Sequence, residues 1–272
     1  MPEYQHIILE KDSSEHIARL TINRPNQRNA LNDAATGEMG QAIDEVAADD
    51  DVRVLVITGA GQSFCAGADL AALKGGSDPG VLASENTDDI RRGFQLGQRM
   101  ILGLQRMEKP VIAMINGTAV GAGFDLACAC DIRIASTKAR FMVAYVRIGL
   151  FPGFGGTWLY PRTLGSMGKA AEMLFTGDFM EADEAYRLGF LNRLVDEDEL
   201  ESTTMEMARK IASGPPVAIR LSKLMLYKGL EFDLDTALKM AAAAETITLT
   251  SHDHEEGIQA MRESRKPNYE GR

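Results

Sequence analysis

Apolar and polar positions along the chain change period several times, and each change marks an element. Ile17, Leu20 and Ile22 suit a strand over residues 16–23 after an earlier one over 6–11, and the run Val54, Leu55, Val56, Ile57 predicts a buried strand over 52–58. Between them Met39, Ile43, Val46 and Ala47 recur at helical spacing, which predicts a helix over 33–49. A further helix over 84–107 follows a loop containing Gly75, Gly76, Pro79 and Gly80, and it stops at Lys109-Pro110, where proline forbids continuation. The pattern then recurs as strand Val111–Ile115, glycine turn 117–123, helix 124–129 and strand 131–135. Such alternation predicts an α/β fold with short crossovers. From Glu181 onward strand signals thin out, and helices are expected over 198–213, Pro216–Lys228, 233–248 and 255–263. The chain divides on this pattern into an α/β core, 1–197, and a helical region, 198–272.

Composition narrows the class. With 45% hydrophobic and 25% charged residues in 272, the chain has ordinary globular usage and enough length for a substantial core. A formal charge of -10 argues against a nucleic-acid or anionic-membrane surface, so an anionic ligand would need a local basic patch. Apolar stretches such as Val111–Ile115 are far too short to span a bilayer, and residues 1–10 lack a signal peptide's basic and apolar segments, so a cytoplasmic setting is expected. Three cysteines, Cys65, Cys128 and Cys130, imply no disulfide framework and suit small core positions. No metal is expected: His252, Asp253 and His254 lack further ligand spacing and read as an exposed helix start.

Two glycine-rich turns carry the candidate chemistry. Residues 58–70 (Thr-Gly-Ala-Gly-Gln-Ser-Phe-Cys-Ala-Gly-Ala-Asp-Leu) follow a buried strand, and residues 116–126 (Asn-Gly-Thr-Ala-Val-Gly-Ala-Gly-Phe-Asp-Leu) run into a helix. Neither fits a dinucleotide fingerprint, since Phe64 and Leu126 stand where a third small residue belongs and no ribose acid follows at the usual distance. No nucleophile elbow is present, and all four histidines lie near the termini, so serine-hydrolase chemistry has no base. Two readings of the turns stay open. Small residues at Ala66 and Ala122 expose backbone N–H groups that, with a helix dipole, stabilise an oxyanion; alternatively the glycines only permit tight turns and close packing.

Taken together, these segments resemble the crotonase superfamily, the enoyl-CoA hydratases and isomerases. The resemblance rests on Asn23-Arg24-Pro25, Asn29-Ala30-Leu31-Asn32, Phe64 through Leu70, Lys109 through Ala113, Asn116 through Gly123, Cys130 through Ala135, Gly149 through Thr157, Glu256 through Ala260 and Lys266-Pro267, in order along nearly the whole chain. It implies an α/β spiral of ββα units with a helical C-terminal oligomerisation region, and trimers commonly paired into hexamers. It also implies a backbone oxyanion hole at Ala66 and Ala122, and coenzyme A running past Arg28, Ala30, Ala68, Asp69 and Leu70. Arg24, Arg28 and Lys74 are candidates for a local cationic patch. No permanently bound cofactor is implied, and the acyl-CoA is substrate.

The resemblance breaks at the proton-transfer positions. Hydratases of the family place two glutamates across the enoyl group, and here those positions read Asp125 and Tyr145. An aspartate reaches one methylene less, and a phenol of reference pKa about 10 is a poor base at neutral pH. An acid used by isomerase relatives falls at Gly153, and Asp78, Glu85, Asp88 and Asp89 read as a solvated helix start. Asp125 and Tyr145 are therefore the catalytic candidates. The implied activity is of enoyl-CoA hydratase/isomerase type, with isomerisation, hydrolysis, decarboxylation or non-catalytic acyl-CoA binding as alternatives. Phe94, Met142, Tyr145, Phe151 and Trp158 line either a pocket or a core.

Overall fold

The computed structural model describes residues 4–73, 80 and 83–272; Lys74, Gly75, Gly76, Asp78 and Pro79 lie outside them. The chain opens with β1 (Ile7–Asp12) and β2 (Ile17–Ile22), an antiparallel pair, then α1 (Asp33–Ala48), capped by the Asn32 side chain on the Ala35 N–H. From there a unit repeats. β3 (Val54–Gly59) is followed after a short turn by β4 (Ser63–Cys65) and then by α2 (Leu70–Leu73) and α3 (Thr87–Arg106). β5 (Val111–Ile115) is followed by β6 (Thr118–Val120) and α4 (Ala122–Ala129), and β7 (Ile132–Ser136) by β8 (Arg140–Met142) and α5 (Gly156–Thr163).

The first strand of each unit joins one sheet and the second joins another. Among the described residues the larger sheet runs β1-β2-β3-β5-β7 and ends on β10 (Arg193–Val195), parallel beyond β2. The smaller runs β4-β6-β8 and ends on the antiparallel β9 (Phe179–Glu181), which follows α6 (Met167–Thr176) and precedes α7 (Ala182–Arg187). This is the spiral of ββα units that the resemblance implies. The three-residue strands of the smaller sheet, and β10 at the edge of the larger, are too short to show a period of two, so the sequence pattern reads β6 as part of a turn and passes over β8, β9 and β10 altogether.

The uninterrupted apolar run of β3 is explained by burial on both faces. Leu55 and Ile57 join the large core with α1, α3 and α4, whereas Val54 and Val56 pack with Ile17, Ile112, Met114 and Ile134 against α8 (Leu200–Ala212) through Leu200, Ala208 and Ala212. Helix α8 thus covers the sheet. Beyond it come α9 (Pro216–Lys228), α10 (Leu234–Leu249) and α11 (His252–Arg262). No residue of α10 is buried, and Leu234, Leu238, Ile247 and Leu249 face outward. Asp253 accepts backbone N–H groups from Glu270 and Gly271, a structural use of the acid between His252 and His254. Among the described residues no His, Cys, Asp and Glu cluster could hold a metal, and no helix is long and apolar enough to cross a membrane.

One buried ion pair fastens α9 to the core. Lys223 Nζ lies 2.7 Å from Asp131 Oδ2 and also donates to the Lys109 carbonyl at 2.9 Å, while Tyr227 Oη donates to Asp131 Oδ1 at 2.7 Å. Removing one partner leaves the other buried without its counter-charge. Lys223→Ala is expected to lower stability by about 3 kcal/mol, read as a fall in the urea midpoint at unchanged slope; an unmoved midpoint would show that packing alone holds α9.

Candidate active site

The two glycine turns meet backbone to backbone. A methyl group on Gly123 would sit 2.2 Å from the Cys65 carbonyl oxygen, and one on Gly67 would sit 2.6 Å from the Val120 carbonyl oxygen and 3.4 Å from the Ala122 nitrogen. Only a residue without Cβ allows that approach, and Gly67 also has φ +89°, which disfavours any other residue. Ala122 opens α4 directly after Gly121, so its N–H has no partner within the helix, and no other acceptor takes it among the described residues.

The partner amide differs from the expected one. The Ala66 N–H donates to the Arg28 carbonyl at 3.0 Å and has nothing left to offer a ligand. Two residues on, Ala68 forms a parallel bridge with Leu31: the Leu31 N–H donates to the Gly67 carbonyl at 2.7 Å and the Asp69 N–H to the Leu31 carbonyl at 2.9 Å. In an extended segment the groups of the intervening residue face the opposite side, so the Ala68 N–H points away from Leu31, and among the described residues it has no acceptor. The free amides at the junction of the turns are those of Ala68 and Ala122, not Ala66 and Ala122.

Asp125 lies in the first turn of α4 with 0% exposure. Both its oxygens are occupied by phenols, Tyr145 Oη on Oδ2 and Tyr160 Oη on Oδ1, each at 2.5 Å. That length belongs to hydroxyls donating to a charged oxygen. Burial pushes the Asp125 carboxyl up to about 6, against the opposing pull of the two phenols, which favour the anion. Burial, with the Asp125 charge and hydrogen bond behind it, holds both phenols well above their usual range, so they stay neutral donors. Tyr145 sits at the start of a short 3-10 turn, Tyr145–Ile148, and a methyl on Gly121 would lie 3.9 Å from its Cζ. The Tyr145 side chain, mostly buried, is therefore beside the free Ala122 amide, and the carboxylate is behind it.

The loop preceding Ala68 is cross-tied. Arg24 donates to the Ala30 carbonyl and pairs with Asp69 at 3.0 Å, and Asp69 Oδ1 accepts the Ala71 N–H at 3.1 Å. Arg24 is thus committed to holding the loop and is not a free member of a cationic patch. Arg28 is exposed at φ +52° and has no ion-pair partner among the described residues; Ala30 is buried and Leu70 exposed. Of the other candidate acids, Asp88 pairs with Arg91 and Arg92, and Asp89 accepts from Ser84, the arrangement of a charged helix start. At Gly153 a methyl would sit 2.5 Å from Phe94 Cε1, so an acid there would have to displace the Phe94 ring. Phe151 and Trp158 line a separate apolar cavity of about 630 Å³ between α3, residues 151–159 and α9.

Residues 12–272 match the family model described as enoyl-CoA hydratase/isomerase. The chain belongs to the enoyl-CoA hydratase/isomerase family. It is 41% identical to a short-chain-enoyl-CoA hydratase of Clostridium acetobutylicum, with 97% of each chain covered, and 40% identical to a crotonyl-CoA hydratase of Syntrophomonas wolfei, with 98% of each covered. The solved structure of an enoyl-CoA hydratase from Bacillus anthracis superimposes with a TM-score of 0.91 at 34% identity, covering 98% of this chain and all of that one. The protein is an enzyme of hydratase/isomerase type whose fold matches those structures at this level.

Within this family frame, Tyr160 is the site residue that sequence reasoning misses. The sequence pattern gives it no role; in the structure it packs as a core aromatic of α5, 5.0 Å from the Phe124 ring, and only the fold shows its hydroxyl on Asp125. The signal available in the sequence is Gly156, one helical turn earlier, where a methyl would sit 2.4 Å from Tyr160 Cζ. The meeting of the turns is open to direct test. Gly67→Ala should spread them and lower turnover of an enoyl-CoA by about 10²-fold with an unchanged circular-dichroism spectrum; undiminished turnover would show that the contact is dispensable.

Proposed function

We propose that this enzyme binds an acyl-CoA thioester with its carbonyl oxygen on the Ala68 and Ala122 amides and moves a proton at the conjugated carbons through Tyr145, with Asp125 as the base behind it. The observation that carries this reading is the Tyr145–Asp125 bond at 2.5 Å, in which Tyr145 is partly exposed as a residue and Asp125 not at all. As the substrate C–H bond breaks, Tyr145 Oη takes the proton while its own passes to Asp125 Oδ2. The electron pair flows into the thioester, and the oxyanion rests on the two amides, each donor contributing on the order of 3 kcal/mol. Reversal onto another carbon shifts the double bond and regenerates both side chains. One relay suffices for that isomerisation. Hydration of a 2-enoyl-CoA is the second reading, favoured by the two hydratases at 40–41% identity; there the relay takes a proton from water and returns one to the α-carbon.

Arg28, exposed beside the bridge that presents Ala68, supplies the cation for a coenzyme A phosphate, and the backbone of Ala30, Ala68, Asp69 and Leu70 lines its path. No permanently bound cofactor takes part. The outward leucines of α10, with Leu226 of α9 and Leu230 beyond it, form the contact that assembles a homotrimer or a hexamer of paired trimers; α8 belongs to the sheet's cover, so association falls to the helices after it. The buried, unpaired thiols of Cys65, Cys128 and Cys130 accord with a reducing cytoplasm, and a net charge of -10 suits neither nucleic acid nor an anionic membrane.

Short 3-enoyl- and 2-enoyl-CoAs, followed by gain or loss of the conjugated thioester absorbance, should separate the two reactions. Asp125→Asn is expected to lose about 10²- to 10⁴-fold in kcat/KM while still binding acyl-CoA, and the parent's kcat/KM should fall as pH drops through about 6, where Asp125 takes up its proton. Full activity in Asp125→Asn, or no thioester binding by the parent, would refute the assignment. For the assembly, light scattering should give a trimer or hexamer for the parent and a smaller species for Leu238→Glu; a monomeric parent would refute it.

A further inference from the structure

We infer that Tyr160 is the positioning residue of the proton relay, its hydroxyl holding Asp125 Oδ1 so that Oδ2 stays turned to Tyr145 and ready to accept a proton. The inference rests on the Tyr145–Asp125 relay proposed above. A carboxylate rotates about a broad, roughly two-fold torsion, and a carboxylate with 0% exposure has no water to fix it. Here the second donor does so, at 2.5 Å from Oδ1.

Tyr160 is itself fixed. Its side chain is fully buried, its ring packs on Phe124, and the absence of Cβ at Gly156 makes the space that Cζ and Oη occupy. A phenylalanine would satisfy the packing equally well, and a buried hydroxyl is retained at no loss only where it has a partner. Among the described residues the partner of this one is Asp125.

The surroundings of Asp125 give Tyr160 its leverage. Tyr145 faces it from the 3-10 turn, Tyr160 from α5, Cys65 from β4 and Cys128 from α4 itself. Burial pushes both thiols up to about 12, so they are uncharged at working pH, and among the described residues no cation pairs with the carboxylate. The two phenols are the groups that stabilise the anion. Without the Tyr160 hydroxyl, Asp125 binds its proton more tightly, and a relay that needs the ionised form starts at higher pH.

The test compares kcat/KM against pH with an infrared titration of the protonated-carboxyl band that Asp125→Asn removes, a readout that needs no substrate. Tyr160→Phe is expected to move both midpoints upward by about one pH unit, to lower kcat about fivefold near pH 6 with KM little changed, and to recover as pH rises. Gly156→Ala keeps both hydroxyls but displaces the Tyr160 ring, and should shift both midpoints the same way; it also serves if Tyr160→Phe does not fold. Unmoved midpoints, with activity lowered equally at every pH, would overturn the role of Tyr160 alone. Full activity in Tyr145→Phe would instead overturn the relay, and with it any positioning of it.

Discussion

The close backbone approach of the two glycine turns is the constraint on which the site depends. Each turn carries the chain from the larger sheet through a strand of the smaller, and where β4 and β6 end, residues 65–67 and 120–123 lie against each other and continue that pairing. Ordinary side chains at Gly67 or Gly123 would overlap carbonyl oxygens of the opposite turn. The same contact places the unbonded amide of Ala122 beside the bridged segment that carries Ala68. Packing of the ββα units and presentation of two donors are therefore one structural event. The open alternative, that the glycines only permit tight packing, is not a competitor of the functional reading but its mechanical basis.

Behind the amides, burial assigns the roles of the two candidate side chains. Asp125 and Tyr145 are matched in the sequence to two equivalent acid-base positions, yet the fold makes them unequal. The aspartate, wholly enclosed, cannot touch a ligand without displacing a phenol, and the tyrosine retains partial access. A phenol is a poor base alone. Backed by a carboxylate that burial has pushed up to about 6, it acts in the proposed relay as a conduit, because its proton has a destination of nearly working pKa.

Much of this was legible in the residues, and the failures have definite physical causes. Helix α1 and strand β5 were readable because apolar period and end signals agree, and Pro216–Lys228 because proline and glycine bracket it. Ala122 was readable as an unbonded amide because helix geometry leaves the first N–H groups free wherever a helix starts. Ala68 was not separable from Ala66 in the same way: which amide is free depends on the bridge to Leu31 and on the Arg28 carbonyl, partners distant in sequence. Tyr160 was hidden for a like reason. A buried tyrosine in a short helix looks like packing until the carboxylate 35 residues away is seen on its hydroxyl. The cationic patch failed at Arg24 because a charge count does not reveal that Asp69 already holds it.

Exchanging a carboxylate pair for one carboxylate and a phenol also changes the electrostatics of catalysis. Two anions enclosed here would repel each other and any oxyanion formed nearby, and burial would force one of them to keep a proton. With a single anion, held by two neutral donors and set back behind one of them, the negative charge lies farther from the amides. In the proposed relay the enolate develops against less opposing charge, and the proton that creates it is stored on Asp125, which becomes neutral as the enolate becomes negative. The site thus keeps one net negative charge throughout, moving it from the carboxylate to the amide pair and back. On that proposal the arrangement suits a reaction in which a proton leaves one atom of the substrate and returns to another, and a site without the expected glutamate pair keeps a route to an enolate.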